Sequence, residues 1–274
     1  MRTFRSLSRT PYYVLTSGLV IIFGFPLVWS AYASVAPQGG TAQTDGFGFG
    51  NYRALLDYDA GLVRYITNSV IVSVLVVILT AAVSLLAGYA FARFRFPGRD
   101  VLFLGILGIL MVPSASLLIP LYVLLGQVGL SNSLVGLALV LTMYQLPFAI
   151  FMMRISFEAV PAELEESALV DGTSTLGALW YVLTPAVVPG LVTVSLYAFL
   201  AAWNDFIAPL ILINDADLAP LPLAIANLRQ QAMGAIDYGV TEAGVVVLAL
   251  PCVVLFLALQ RYYVKGFMSG AIKG

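Results

Sequence analysis

The chain has 274 residues, of which 61% are apolar and 10% charged, with a mean hydropathy of +0.97. Soluble domains run at about 45–50% apolar and about 25% charged, so a water-facing fold of this length could not hide so much apolar surface, and lipid must solvate much of it. The formal net charge of −1 argues against a nucleic-acid partner, the absence of histidine removes zinc-protease motifs, Ser-His-Asp triads and histidine proton shuttles, and the single cysteine, Cys252, leaves no intrachain disulfide and no cysteine metal site.

Taken in chain order, the sequence opens with Arg2, Arg5 and Arg9, followed by an apolar stretch over 12–32. Ala31-Tyr32-Ala33 fits a small-x-small cleavage pattern, but the stretch exceeds the roughly 7–15 residues of a signal-peptide core, so it is read as a retained first helix. Five more apolar stretches follow at 66–91, 101–125, 134–155, 186–203 and 240–263. A spanning helix needs about 20 apolar residues, and lipid demands that backbone groups pair internally, so the expected fold is all-α with about six transmembrane helices. Pro113, Pro120, Pro147, Pro189 and Pro251 fall inside these stretches, where neighbouring helices can absorb a kink. Ten of the 13 Lys and Arg residues lie in segments that share a side with the N-terminus, which predicts both termini in the cytoplasm. Residues 33–62 and 205–239 then form long outer connections, able to meet a soluble partner.

The segment 158–185 does not fit a plain bundle. Pro161 suits a helix start, Glu163, Glu165 and Glu166 suit its first turns, and Gly172 suits its stop. Thr173 or Ser174 can cap a second helix that leads into the fifth stretch. The pattern predicts a short capped helix projecting into the cytoplasm, with small Ser167 and Ala168 permitting close approach and an acidic face suited to a basic cleft.

The run Glu166-Ser167-Ala168-x-x-Asp171-Gly172, followed by Val182-Leu183-Thr184-Pro185, resembles the EAA motif of ABC importer permeases, with Ser167, Val182 and Thr184 as mild departures. Asn68-Ser69, the segment from Ala90 to Gly98, Met111-Val112-Pro113, Trp203-Asn204-Asp205-Phe206 and the closing Gly270-Ala271-Ile272-Lys273-Gly274 extend the likeness over nearly the whole chain, to the MalG-like permeases of carbohydrate (type I) importers. The resemblance implies one transmembrane domain whose loop is a coupling helix. It places Glu163, Glu166, Ser167, Ala168, Asp171 and Gly172 against an ATP-binding subunit, with a tail contact from Gly270, Lys273 and Gly274. It also implies a second, MalF-like permease, two ATP-binding subunits and an external solute-binding protein, in a bacterial cytoplasmic membrane.

The chain carries no G-x-x-x-x-G-K-[ST] loop: Lys265 and Lys273 both sit outside that pattern. ATP and Mg are therefore expected in a partner subunit, no cofactor in this chain, and the chain itself is not expected to be an enzyme. An ion-coupled secondary transporter is the alternative, weakened because the stretches hold almost no ionisable groups; a non-transporting scaffold is a third reading. Candidate solute contacts are the polar and aromatic groups within or ending the stretches: Tyr89, Tyr144, Gln145, Tyr197, Trp203, Asn204 and Asp205.

Overall fold

The computed structural model describes residues 10–37, 46–231 and 238–271. Among these every regular element is a helix: α1 (Thr10–Ala33), α2 (Gly50–Leu56), α3 (Leu62–Arg93), α4 (Arg99–Gly108), α5 (Ser114–Gln127), α6 (Leu134–Glu158), α7 (Ala162–Val170), α8 (Thr175–Ala178), α9 (Thr184–Asn204), α10 (Ile207–Leu212), α11 (Leu221–Gln231) and α12 (Tyr238–Ala271). Among the described residues five helical stretches are long and apolar enough to cross a membrane, or six when a bent pair counts as one span.

That bent pair is the main departure from expectation. The third apolar stretch is not one rod: Arg99–Met111 and Ser114–Gln127 meet at 103°. Proline explains the break. Pro113 disfavours helical backbone at the residue before it, and Val112 accordingly adopts φ −85°, ψ 122°. Pro113 also lacks an N–H to continue the ladder and instead starts α5. Pro120, Pro147, Pro189 and Pro251 lie inside continuous helices, as does Pro26.

The described residues divide into two compact units, one drawn from 10–62 and 225–251, the other from 63–224 and 252–271. In the first, the end of α1 is clasped to α2. Asn51 donates to the Ser34 carbonyl at 2.9 Å, and Tyr52 donates to Ser34 Oγ at 2.9 Å. The side chains of α1 are otherwise largely exposed, as befits a helix whose solvent is lipid or another subunit.

In the second unit, α3, α6 and α9 pack around Leu85, Tyr89, Met153, Phe157, Leu183 and Val187. Without a hydrophobic drive between helices in lipid, small residues set how closely they approach. Gly88 does this for α3 and α6, since a Cβ there would sit 2.5 Å from Met153 Cβ and 2.9 Å from the Arg154 amide nitrogen. Beside this core, Arg154 pairs with Glu158 at 2.7 Å and stacks 4.2 Å over Phe103. At its start α3 secures the segment after α10: Asn68 donates to the carbonyls of Asp217 and Ala219 at 2.9 and 3.0 Å, and Ser69 Oγ accepts from the Leu221 amide at 2.8 Å.

Candidate functional site

The loop 158–185 folds by local rules. Pro161 takes the N-cap position of α7, one residue before the first helical residue, with φ −55° and ψ 137°. Gly172 ends the helix at φ +88°, a left-handed conformation that a side chain disfavours, although no atom crowds the place of a Cβ. Its amide donates to Leu169 O at 3.1 Å and the Thr173 amide to Ala168 O at 3.0 Å, the paired bonds of a Schellman cap. Ser174 then caps α8, its hydroxyl accepting from the Gly177 amide at 3.2 Å. Between α8 and α9 lies a π-helical turn, Leu179–Leu183, closed by Thr184 Oγ1 donating to Leu179 O at 2.8 Å. Pro185 follows, and the wider turn accommodates the missing N–H.

This architecture sorts the acidic run of α7 into two kinds of residue. Glu163, Glu166 and Ser167 are exposed, with Asp171 and Gly172 exposed just beyond them, and Ser167 Oγ returns a hydrogen bond to Glu163 O at 2.7 Å. Apolar Leu164, Leu169 and Val170 are exposed beside them, Val170 at 87%. Ala168, in contrast, is buried, so its small side chain seats α7 against this chain's own fold and adds nothing to the outward face. Glu165 also turns inward. Its Oε2 lies 3.2 Å from Arg93 Nε at the end of α3, an ion pair that is not an aligned hydrogen bond, and its Oε1 accepts from the Tyr89 hydroxyl. Arg93 also donates through Nη2 to Val160 O at 2.7 Å. Sequence reasoning missed Glu165 and Arg93 as functional residues. The available signal was that, of adjacent glutamates on a short helix, only one can share the outward face.

The candidate solute residues separate in the same way. Tyr89 is buried among Phe94 and Phe157 with its hydroxyl engaged by Glu165, which places it in the loop's anchor. Trp203 is 2% exposed and stacks on Phe199. Tyr144, Gln145, Tyr197, Asn204 and Asp205 remain partly or fully open on α6 and α9. Tyr197 packs 4.7 Å from Phe148, one turn beyond Tyr144 on α6. The Tyr144 hydroxyl donates to Ser114 O at 3.1 Å, beside the α4–α5 break, and lies within electrostatic reach of Asp205. Asn204 donates to Leu200 O at 2.8 Å and meets Cys252 Sγ at 3.6 Å. Burial pushes the Asp205 carboxyl above its usual range, against the lowering effect of amide donors from Ala208 and Ile207. Gly270 lies near the end of α12; Lys273 and Gly274 fall outside the described residues. Among the described residues no three His, Cys, Asp or Glu side chains gather as metal ligands.

Several helices long and apolar enough to span, one of them broken, and a capped polar loop with an anchored inner face define an all-helical membrane protein. The model of the family described as the binding-protein-dependent transport system inner membrane component matches residues 83–268, and the chain belongs to that family. It is thus a multi-pass permease subunit of an ABC importer, a membrane component without ATPase activity of its own, which in this family resides in separate subunits.

Among similar proteins is the diacetylchitobiose uptake system permease DasC of Streptomyces coelicolor, 34% identical over 95% of this chain and 94% of its own length. The trehalose transport system permease SugB of Mycobacterium tuberculosis is 33% identical over 97% and 98%. The trehalose/maltose permease MalG of Thermococcus litoralis is 31% identical over 93% and 94%. A bacterial ABC transporter for alginate import aligns with a TM-score of 0.81 at 21% identity, over 96% of this chain and 98% of that one, a likeness of fold.

Proposed function

We propose that this chain is one half of the membrane pathway of a sugar importer, and that α7 is the element through which ATP hydrolysis drives it. One observation carries the reading: α7 turns its exposed acidic and apolar residues outward while Glu165 and Ala168 hold its inner face to the chain's own core. A helix anchored on one face and bare on the other suits a soluble subunit with a basic-rimmed, apolar groove. Loop and termini then lie in the cytoplasm. A second, MalF-like permease completes the pathway, two ATP-binding subunits carry ATP and Mg, and an external binding protein delivers the solute. Alternating access follows: closure of the ATPases displaces α7, and the spans rock to expose the cavity outward. Relatives described as carriers of trehalose, maltose and diacetylchitobiose support a neutral oligosaccharide, as do the open tyrosines and Asn204 on α6 and α9.

The test is co-purification of a subunit labelled by a photoreactive ATP analogue, with ATP-driven uptake of radiolabelled trehalose, maltose and diacetylchitobiose. Wild type should retain the labelled subunit, and Glu166→Ala and Gly172→Pro should weaken both retention and uptake. A wild-type chain that retains no ATPase, or variants that transport normally, would sink the reading.

A further inference from the structure

Glu165 is the member of the acidic run that cannot serve the outward face, and the structure gives it other partners. Its carboxylate closes on the last turns of α3, 76 residues away in sequence, where the Tyr89 hydroxyl donates to it and Arg93 pairs with it at 3.2 Å. The same guanidinium reaches the Val160 carbonyl at 2.7 Å, at the residue before Pro161. One side chain of α3 therefore grips both the entry to α7 and its first turns. The ring of Tyr89 is wedged between Phe94 at 5.3 Å and Phe157 at 5.5 Å, so the hydroxyl that completes the cluster is itself fixed by packing.

Mechanically, α7 is joined to the rest of the chain at two bends, Pro161 and Gly172. With the ends alone to hold it, a push on α7 would turn it about those bends and leave α3 where it was. Ala168 seats the inner face by packing, and the ion pair adds a directional tie to α3 that packing alone does not supply. Its two side chains keep only 14% and 13% of their surface, and separating them would strand a charge in a desolvated place.

We infer that Tyr89, Arg93 and Glu165 form a rigid joint that conveys displacement of α7 directly into α3, and that Glu165 is a positioning residue for transport that touches neither the ATPase nor the solute. The inference rests on the coupling-helix reading above and adds to it the route into the membrane. Motion enters the bundle at the end of α3 and passes to α6 across the close approach at Gly88, as well as along the backbone into α9. A structural role alone would lower assembly, ATP hydrolysis and transport together. A joint predicts that they separate.

The experiment uses the assembled complex in nanodiscs, with Glu165→Gln, Tyr89→Phe and the charge-conserving Arg93→Lys, which cannot hold two acceptors as a fork does. Hydrogen exchange is followed over residues 162–170 and 85–93, with and without trapping by ATP and vanadate. In wild type, trapping should change exchange in both segments. In Glu165→Gln the ATPase should still co-purify, with hydrolysis within about threefold of wild type, exchange over 162–170 should rise about tenfold, and trapping should no longer alter 85–93. Tyr89→Phe and Arg93→Lys should show the same separation in milder form, and they carry the test should Glu165→Gln fail to assemble. The joint is overturned by a trapping response over 85–93 that survives in the variants, or by loss of the ATPase in step with the carboxylate. A wild-type complex that retains no ATPase overturns the coupling-helix reading and the joint with it, and that result is distinguishable because it precedes any variant.

Discussion

The two polar regions of the α3–α6–α9 core are built on opposite principles. Around Glu165 the polar groups answer one another: carboxylate, guanidinium, phenol and a backbone carbonyl converge and are largely enclosed. Around Asn204 and Asp205 the polar groups are less enclosed, with Tyr197 42% exposed, exposed Asn204 bound back to Leu200 O and half-buried Asp205 accepting from the Ala208 amide. On the proposed reading, the enclosed cluster carries force and the more open groups meet the solute.

Substitutions can break this contrast from either side. The largest effect is expected at Gly172, where Pro would force φ to about −65° and remove the amide that closes the Schellman cap, at a cost of about 3 kcal/mol or more. Gly172→Pro should reduce ATP-driven uptake to background, read as labelled sugar retained by vesicles. Arg93→Ala should cost about 2–3 kcal/mol, below the range for a fully buried pair because the carboxylate keeps 13% exposure; thermal melting of the purified complex measures it. Gly88→Leu should destabilise by about 1–3 kcal/mol through overpacking against Met153, and melting of the detergent-solubilised chain should show it without any assay of transport.

On the open side, effects should be smaller and of another kind. Asn204→Ala should leave melting and ATPase retention unchanged and raise the KM of uptake about 2- to 10-fold, the value of one hydrogen bond of about 0.5–1.5 kcal/mol. An unchanged KM would remove Asn204 from the solute face. The smallest effect concerns pH. Burial raises the Asp205 carboxyl above its ordinary value of 3.8, so the fold favours its protonated form. The cost of ionising it is absent below the unfolded value, grows as pH rises through the raised folded value, and is then constant. Asp205→Asn keeps an acceptor for the Ala208 amide and should flatten the decline in melting temperature above pH about 4, compared in the same detergent.

Much of this protein was legible as sequence because the governing rules are local. Apolar length called for spanning helices, and among the described residues five helices, or six with the bent pair, meet that length. Gly172 and Ser174 marked a turn whose hydrogen bonds close within five residues. The resemblance of Glu166 through Gly172 to an importer loop pointed to the family that the matched region establishes. Tertiary structure alone decided three things. Pro113 stands at a 103° break with extended Val112 before it, where Pro147 and Pro189 sit in unbroken helices, so the presence of a proline in an apolar stretch did not by itself say which span would break. Ala168 and Tyr89 face inward, which turns on how α7 lies against α3 and the π-helical turn. Glu165 meets Arg93 and Tyr89, the latter 76 residues away in sequence, a long-range geometry that no window of neighbouring residues contains.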